Sequence, residues 1–158
     1  MPMQTDFRIQ TSSVEETRRL GRTLGSAVEP GTVISLSGDL GSGKTALTQG
    51  IAGGMGVDPS RYVTSPSYTL VNQHPGRRHM LYHIDFYRLE EAEEAEALGM
   101  DDILHRHDVV VVEWGDRFGR GLWGENLEIH LTLTDETTRE IFFTAFDDRG
   151  KRLIATLK

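Results

Sequence analysis

Eight residues at positions 38–45 constrain the fold of this chain more than any other part of its sequence. They read GDLGSGKT, which matches the pattern G-x-x-x-x-G-K-(S/T) at each of its fixed positions. The segment before them, residues 32–36, is rich in β-branched side chains and predicts a strand. After them, Leu47, Ile51 and Met55 fall four residues apart, on one face of a predicted helix. The sequence therefore predicts a strand, a glycine-rich loop and a helix in direct succession.

Each part of this loop has a physical property that points to phosphate binding. Glycines let the backbone turn tightly, so that successive N–H groups point inward at a helix N-terminus and bind an anion. Lys44 adds a positive charge for the β and γ phosphates, and the hydroxyl of Thr45 can bind Mg²⁺. We therefore expect the chain to bind a nucleoside triphosphate with Mg²⁺. The predicted nucleotide-binding residues of the loop are Gly38, Leu40, Gly41, Ser42, Gly43, Lys44 and Thr45.

Two acidic residues follow predicted strands and are candidates for the carboxylate that such a site needs near Mg²⁺. Glu113 ends the valine run 109–112, which is typical of a strand buried on both faces, and is expected at the carboxyl edge of the sheet. Asp85 ends the stretch 81–84 and reaches the same edge only if that strand runs parallel to the others. Each is otherwise an ordinary strand-end charge in solvent. Trp114 is either a core side chain or a contact of the nucleotide.

A hydroxyl-rich segment beyond the loop helix is a further candidate for contact with the nucleotide. Residues 64–69 read TSPSYT and lie where a switch segment, ordered by the γ-phosphate and Mg²⁺, would lie. A plain turn of serine and proline explains the same composition. The predicted switch residues are Thr64, Ser65, Ser67 and Thr69. The histidines show no spacing typical of a metal site, and His83 lies within a predicted strand.

The remaining pattern predicts an α/β protein of the P-loop NTPase type, with a mixed, mostly parallel sheet flanked by helices. The length favours a single domain over residues 1–158. The other predicted helices are 14–28 and 90–98. The other predicted strands are 7–9, 68–71, 80–85, 127–133, 141–143 and 153–157, with Pro75 and Gly76 in the loop of a hairpin. The C-terminal part is therefore expected to be rich in strands that extend the sheet.

Composition limits the classes of protein to which this chain can belong. It has 158 residues, of which 37% are hydrophobic and 26% charged, as in ordinary soluble globular proteins. The absence of cysteine excludes disulfides and thiolate metal sites, and the net charge of −7 disfavours direct binding of nucleic acid. No apolar run is long enough to span a membrane, and residues 1–6 lack the features of a signal peptide. We therefore expect a cytoplasmic protein without membrane contact.

Four stretches, in this order, resemble the TsaE (YjeE) family of bacterial P-loop ATPases, which are required for threonylcarbamoyladenosine synthesis on tRNA. They are the loop at 38–45, SPSYTLV at 65–71, YHIDFYR at 82–88, and the pair Glu113-Trp114. The resemblance implies that ATP is the nucleotide and that Mg²⁺ is held by Thr45 and Glu113. It further implies catalytic roles for Lys44 and Asp85, and positions near the nucleotide for Trp114 and for the N-terminal segment around Ser13.

The same resemblance implies that the chain does not make the modification alone. Its implied partner is a two-protein threonylcarbamoyl transferase complex of the TsaB/TsaD type, with tRNA contacted only indirectly. A small-molecule P-loop kinase is an alternative in which Arg117 and Arg120 would act as lid residues, although no lid-sized insertion surrounds them. Another alternative is a module that ATP switches without significant turnover. A GTPase is disfavoured because the sequence has no N-K-x-D or T-K-x-D motif.

Overall fold

Strands and helices are interspersed along the chain in the manner of an α/β protein. The computed structural model describes residues 6–61, 63–66 and 69–158, and Ser67, one of the predicted switch residues, lies outside them. The strands are β1 (Phe7–Thr11), β2 (Val33–Ser37), β3 (Val71–Pro75), β4 (Met80–Asp85), β5 (Val109–Glu113), β6 (Leu127–Leu133) and β7 (Arg139–Ala145). The helices are α1 (Val14–Ala27), α2 (Lys44–Gly54), α3 (Ala92–Ala97), α4 (Met100–Leu104) and α5 (Asp148–Ala155).

Within the described residues, seven strands form one sheet in the order β1-β7-β6-β2-β5-β4-β3. The central strands β6, β2, β5 and β4 pair in parallel. The flanking strands β7 and β1 on one side, and β3 on the other, pair antiparallel. Every residue of β2 and β5 is buried, as expected of strands covered on both faces. The predicted fold class, a mixed and mostly parallel α/β sheet flanked by helices, is confirmed.

Helices cover both faces of the sheet. α1, α2 and α5 pack on one face, where Leu24, Leu47 and Ile51 are fully buried. α3 and α4 pack on the other face, around Phe86 and Met100. Each such apolar side chain stabilises the fold by about 1.5–3 kcal/mol when it is removed from water. None of the helices in the described ranges is both long enough and apolar enough to cross a membrane.

Glycines allow α1 and α2 to approach each other closely. A Cβ atom at Gly50 would lie 2.1 Å from the carbonyl oxygen of Arg18, and one at Gly54 would lie 2.3 Å from that of Arg22. These contacts advance together along both helices, so α1 and α2 run parallel. Their N-termini therefore lie at the same end of the fold, next to the loop at 38–45 that leads into α2.

The C-terminal segment corrects one prediction made from the sequence. The strand predicted at 153–157 is wrong, because Leu153 and Ile154 lie in α5 and pack against the sheet from its face. The side chain of Asp147 caps this helix by accepting a hydrogen bond from the N–H of Gly150. A window of five residues is too short for apolar spacing to separate a helix from a strand. The C-terminal part of the chain thus contains the strands β6 and β7, followed by a helix.

Two further boundaries differ from the predictions. Of the strand predicted at 68–71, Tyr68 lies outside the described residues, and Val71 begins β3, which includes Pro75. Pro75 is tolerated because β3 is an edge strand, where a residue without an N–H need not break the ladder. The helix predicted at 90–98 is the shorter α3, and Gly99, with a φ of 88°, leads directly into α4, which sequence analysis did not predict.

Candidate phosphate-binding and metal-binding site

The loop at 38–45 joins the end of β2 to the start of α2 in a conformation that requires glycine. Gly38 and Gly43 have φ values of 133° and 109°, in the region that favours glycine. A Cβ atom at Gly38 would lie 2.3 Å from the carbonyl oxygen of Leu131 in β6. Because Lys44 is the first residue of α2, the unpaired N–H groups of the first helical turn point into the loop. The predicted order of strand, loop and helix is confirmed.

A cleft of about 350 Å³ opens beside this loop, at the carboxyl edge of the parallel strands. Its lining residues are Leu40, Gly41, Gly43, Lys44, Thr45, Ala46, Ser65, Asp85, Tyr87, Arg88, Glu113 and Trp114. Because β4 and β5 are parallel, Asp85 and Glu113 are paired across the two strands. Both carboxylates lie at the predicted edge of the sheet. Their chemical roles stay predictions.

Some of the predicted site residues lie outside the lining of this cleft. Ser42 is 1% exposed and lies within the loop, and Gly38 lies against the backbone of Leu131 in β6. Thr64 lines a separate cleft of about 640 Å³ beside α2. The hydroxyl of Thr69 donates a hydrogen bond to Oδ1 of Asn72 at an exposed position. Of the described switch residues, only Ser65 reaches the cleft.

Ser13 stands at the N-terminus of α1. Its side chain caps the helix by accepting a hydrogen bond from the N–H of Glu16 at 3.1 Å. The parallel packing of α1 and α2 brings this end of α1 towards the end of the fold that carries the loop. Ser13 is nevertheless not among the residues that line the cleft, and its contact with a nucleotide stays a prediction.

The ammonium group of Lys44 lies over the loop. Its Nζ donates hydrogen bonds to the carbonyl oxygens of Gly38 at 2.6 Å and Asp39 at 2.8 Å, and lies 4.5 Å from the ring centroid of Trp114. Burial holds the pKa of Lys44 below its ordinary value, while nearby carboxylates, with that of Glu113 foremost, oppose the shift. Because Lys44 is only 5% exposed, solvent screens its charge weakly, and the charge would act strongly on an anion in the cleft.

Thr45 and Glu113 face each other at the start of α2 and the end of β5. The hydroxyl of Thr45 donates to Oε1 of Glu113 at 3.3 Å. The other carboxylate oxygen, Oε2, accepts a short hydrogen bond from Nε2 of His83, a residue of β4 that is fully buried. Glu113 is itself 3% exposed, so these contacts compensate for removing its charge from water.

Thr45 and Glu113 supply oxygen atoms of the kind that Mg²⁺ prefers. Neighbouring ligands of an octahedral ion with bonds of about 2.1 Å are about 3 Å apart, which is close to the 3.3 Å between Oγ1 and Oε1. The described residues contain no group of three or more His, Cys, Asp or Glu side chains that could hold a metal. Mg²⁺ at nucleotide sites usually needs only one or two carboxylates together with phosphates and water. The residues that are present therefore fit this ion.

Asp85 connects the sheet edge to the segment at 63–66. Its Oδ2 accepts a hydrogen bond from the hydroxyl of Ser65 at 2.7 Å, and its Oδ1 accepts one from the N–H of Tyr87 at 2.8 Å. Asp85 is 2% exposed, so both contacts are made away from bulk water. The arrangement can hold a carboxylate in one orientation beside the phosphate loop.

Trp114 lies partly in the core and partly in the wall of the cleft, and its contact with a nucleotide stays a prediction. It is half-buried against the apolar residues of the second core, and it also lines the cleft. Its φ of 59° is rare outside glycine, and its backbone N–H donates a hydrogen bond to the carbonyl oxygen of Leu36 at 2.8 Å. Its ring lies 5.2 Å from that of Tyr87, between centroids. The indole therefore forms part of the wall of the cleft.

The sequence pattern predicts no site role for His83, Tyr87, Arg88 or Arg139. A signal was available for His83, because a residue two positions before Asp85 in a strand shares its face. Tyr87 and Arg88 lie within the stretch 82–88 that resembles the TsaE family. Arg139 begins β7, and its Nε donates to the carbonyl oxygen of Ser42 at 3.1 Å. No local pattern could connect Arg139 with a loop so distant in sequence.

Sequence similarity to known proteins extends over most of the chain. The family described as "Threonylcarbamoyl adenosine biosynthesis protein TsaE" matches residues 11–141. The chain is 37% identical over 148 residues to the tRNA threonylcarbamoyladenosine biosynthesis protein TsaE of Bacillus subtilis (strain 168), covering 94% of this chain and 91% of that protein. It is 35% identical over 135 residues to the protein of the same description from Treponema pallidum (strain Nichols), covering 85% and 98%.

A solved structure shares the fold described above. The crystal structure of Bacillus subtilis YdiB superimposes on this chain with a TM-score of 0.78 and 30% sequence identity, covering 98% of this chain and 96% of that one. The similarity therefore extends far beyond the phosphate loop, a motif that many unrelated families share. The match over residues 11–141, together with relatives that align along nearly their whole length, shows that this chain belongs to the TsaE family.

Proposed function

We propose that this chain is a Mg²⁺-dependent ATPase of low turnover that acts in the cytoplasm in the formation of threonylcarbamoyladenosine on tRNA. It would work with a two-protein threonylcarbamoyl transferase complex. The observation that carries the proposal is the convergence of Lys44, Thr45, Asp85 and Glu113 on one cleft beside a glycine loop. The descriptions of the family and of its relatives name the tRNA modification.

Phosphate binding would depend on the loop and on Lys44. The N–H groups at the start of α2 would bind the phosphate oxygens, and Nζ of Lys44 would exchange its contacts with Gly38 and Asp39 for the β and γ phosphates. Thr45 and Glu113 would hold Mg²⁺. When bound, this ion supplies positive charge that offsets the charge developing on the phosphates.

Hydrolysis needs a water molecule placed in line with the γ-phosphate. Its oxygen forms a bond to the γ-phosphorus, the bond to the oxygen bridging the β and γ phosphates breaks, and ADP, inorganic phosphate and a proton are released. Asp85 is the candidate for orienting this water, because its carboxylate is buried and lines the cleft close to Lys44 and Glu113. Its hydrogen bond to Ser65 would transmit the state of the nucleotide to the segment at 63–66.

Charge and exposure support an indirect relation to tRNA. A net charge of −7 gives the chain little attraction for a nucleic-acid backbone, so the partner proteins would carry the tRNA. Leu40 is 66% exposed and Tyr87 is 41% exposed, and both lie at the cleft. Apolar side chains at the mouth of a site are suited to contact with a protein partner. Nucleotide binding would thereby be coupled to docking.

The proposal is tested by reconstituting tRNA modification over many turnovers. Unmodified tRNA, threonine, bicarbonate, ATP and the partner proteins are combined with the intact chain, without it, or with the Lys44→Ala variant. Repeated cycles should occur only with the intact chain. The control is Lys151→Ala, which removes an exposed lysine from α5 and should behave as the intact chain does.

Phosphate release from ATP, measured in the same reactions, separates the remaining interpretations. Modification that continues in the absence of this chain would overturn the tRNA assignment and favour a small-molecule kinase. If modification requires the chain but the chain releases no phosphate from ATP, the chain is a module that ATP switches without turnover. Lys44→Ala should weaken ATP binding by about tenfold to one hundredfold, the loss expected when charge-assisted contacts are removed.

A further inference from the structure

His83 is a fully buried polar residue next to the proposed Mg²⁺ site. It lies in β4, and its Nε2 donates a short hydrogen bond to Oε2 of Glu113. Its other ring nitrogen, Nδ1, has no hydrogen-bond partner among the described residues. Among the described residues, the His83 ring therefore forms a hydrogen bond with Glu113 alone.

The strand register explains why His83 reaches Glu113 rather than another group. His83 pairs with Val111 across β4 and β5, and Asp85 pairs with Glu113. Alternation along both strands places His83 and Asp85, and Val111 and Glu113, on the same face of the sheet. His83 thus lies on the same face as Glu113, one pair of that face earlier in the register, while Thr45 approaches the carboxylate from α2.

The two oxygens of Glu113 have different partners. Oε2 is bound to His83 and Oε1 faces the hydroxyl of Thr45. A free glutamate side chain rotates about its terminal bond, whose torsional profile is broad. A fixed donor on one oxygen removes this freedom and leaves the other oxygen pointing at Thr45.

We propose that His83 is a positioning residue that orients Glu113 for Mg²⁺. This inference rests on the proposed function of the site, in which Thr45 and Glu113 hold the ion. Residues that hydrogen-bond to metal ligands change metal affinity by about 10-fold to 100-fold when they are replaced. His83 acts through Glu113 and touches neither the nucleotide nor the ion.

Three substitutions separate positioning from simple core packing. His83→Gln keeps an amide N–H that can reach Glu113 from the same position. His83→Asn keeps the polarity, but its amide N–H stops short of that carboxylate. His83→Leu removes the donor altogether. Thermal unfolding of each variant reports its effect on stability independently of its effect on the ion.

The measurement is the Mg²⁺ concentration that gives half-maximal binding of a fluorescent ATP analogue, alongside binding of the same analogue in excess EDTA. His83→Asn and His83→Leu should require about 10-fold to 100-fold more Mg²⁺. His83→Gln should remain close to the wild type. Binding in EDTA should be the same for all, because the phosphate loop is unchanged.

His74 provides a matched control on the neighbouring strand. It is 4% exposed in β3, and neither of its ring nitrogens has a hydrogen-bond partner among the described residues. It pairs with Leu81 across β3 and β4, and its ring forms no hydrogen bond with Glu113 among the described residues. His74→Leu therefore removes a buried histidine near His83 that does not bond to the carboxylate, and it should leave the Mg²⁺ requirement unchanged.

The outcomes distinguish this inference from the proposed function. An equal Mg²⁺ requirement in the wild type, His83→Asn and His83→Gln would overturn the positioning role while leaving the metal site in place. Nucleotide binding by the wild type that does not respond to Mg²⁺ would instead overturn the proposed site. If His83→Leu does not fold, the Mg²⁺ requirements of His83→Gln and His83→Asn can still be compared, because both variants keep a polar side chain at this position.

Discussion

The hydroxyl of Ser65 donates a hydrogen bond to Oδ2 of Asp85 across 2.7 Å, and this contact joins the segment at 63–66 to the end of β4. Oδ1 of the same carboxylate accepts from the N–H of Tyr87. Asp85 is thus held from two sides, by a loop and by the chain that continues beyond the strand. Movement of the loop necessarily changes one of these contacts, so its conformation and the orientation of Asp85 are coupled.

Removing the hydroxyl of Ser65 should slow ATP hydrolysis more than it weakens ATP binding. A hydrogen bond to a charged group contributes about 1.5–3 kcal/mol, so Ser65→Ala should lower kcat by about tenfold or more. The measurement is steady-state phosphate release at saturating ATP. Ser60→Ala is the control, because the exposed Ser60 donates its hydroxyl to the carboxylate of Asp58, two residues earlier in the chain. Equal rates in both variants would contradict the coupling of Ser65 to Asp85.

Trp114 should report nucleotide binding by its fluorescence. The chain has two tryptophans, of which Trp114 lines the cleft and Trp123 packs against Phe86, 5.4 Å away between ring centroids. Addition of ATP and Mg²⁺ should change the emission of a Trp123→Phe variant, because its remaining indole lies beside the phosphate loop. Emission of Trp114→Phe should stay constant. A response confined to Trp114→Phe would show that the nucleotide binds elsewhere.

Close contact between α1 and α2 should make Gly50 intolerant of any side chain. Its Cβ would lie 2.1 Å from the backbone oxygen of Arg18, so Gly50→Ala should force the helices apart and lower the free energy of unfolding by about 1–3 kcal/mol. Gly53, in the same helix, has room, with the side chain of Arg22 3.6 Å from the added atom. Gly53→Ala should raise stability by about 0.5–1 kcal/mol through helix propensity. Urea unfolding of both variants measures the difference, and similar values would contradict the packing.

Glu125 should make stability depend on pH. Burial raises the pKa of Glu125 above its ordinary value of 4.5, although N–H groups that include those of Trp123 and Gly121 oppose the shift. The folded state therefore holds the proton more tightly than the unfolded state. The resulting stabilisation is complete below pH 4.5 and is lost as the pH rises through the raised pKa.

The measurement that checks this sign is the Tm of the wild type minus that of Glu125→Gln, followed from acid to neutral pH. The difference should fall as the pH rises, since glutamine does not ionise. Glu136→Gln, at an exposed position, is the control and should give a difference independent of pH. A difference that grows with pH would mean that the carboxylate of Glu125 is favoured in the folded state.

The phosphate loop and the position of Glu113 could be predicted from the sequence because both depend on short, contiguous patterns. A strand, a glycine loop and a helix in succession require no distant contact to place Lys44 and Thr45 at a helix N-terminus. The run of valines before Glu113 is hydrophobic enough to predict a strand buried on both faces, and an acid at its end reaches the carboxyl edge of the sheet.

Distant contacts decided the remainder of the site. Asp85 joins Glu113 only because β4 pairs in parallel with β5, and strand direction is a property of the assembled sheet. The contact of Arg139 with the carbonyl oxygen of Ser42 depends on β7 pairing with β6. The strand predicted at 153–157 is wrong for the same reason, because its apolar residues are buried by packing against a sheet formed from distant segments.

The sequence by itself thus determined which residues form the glycine loop and which strand carries the acid, because backbone conformation and burial pattern are encoded locally. Only the tertiary structure decided which side chains form hydrogen bonds with the acidic residues of the site. His83 reaches Glu113, and Ser65 reaches Asp85, through pairing and packing between segments far apart in the chain. The free energy of such contacts comes from burial that exists only once the sheet and its helices have assembled.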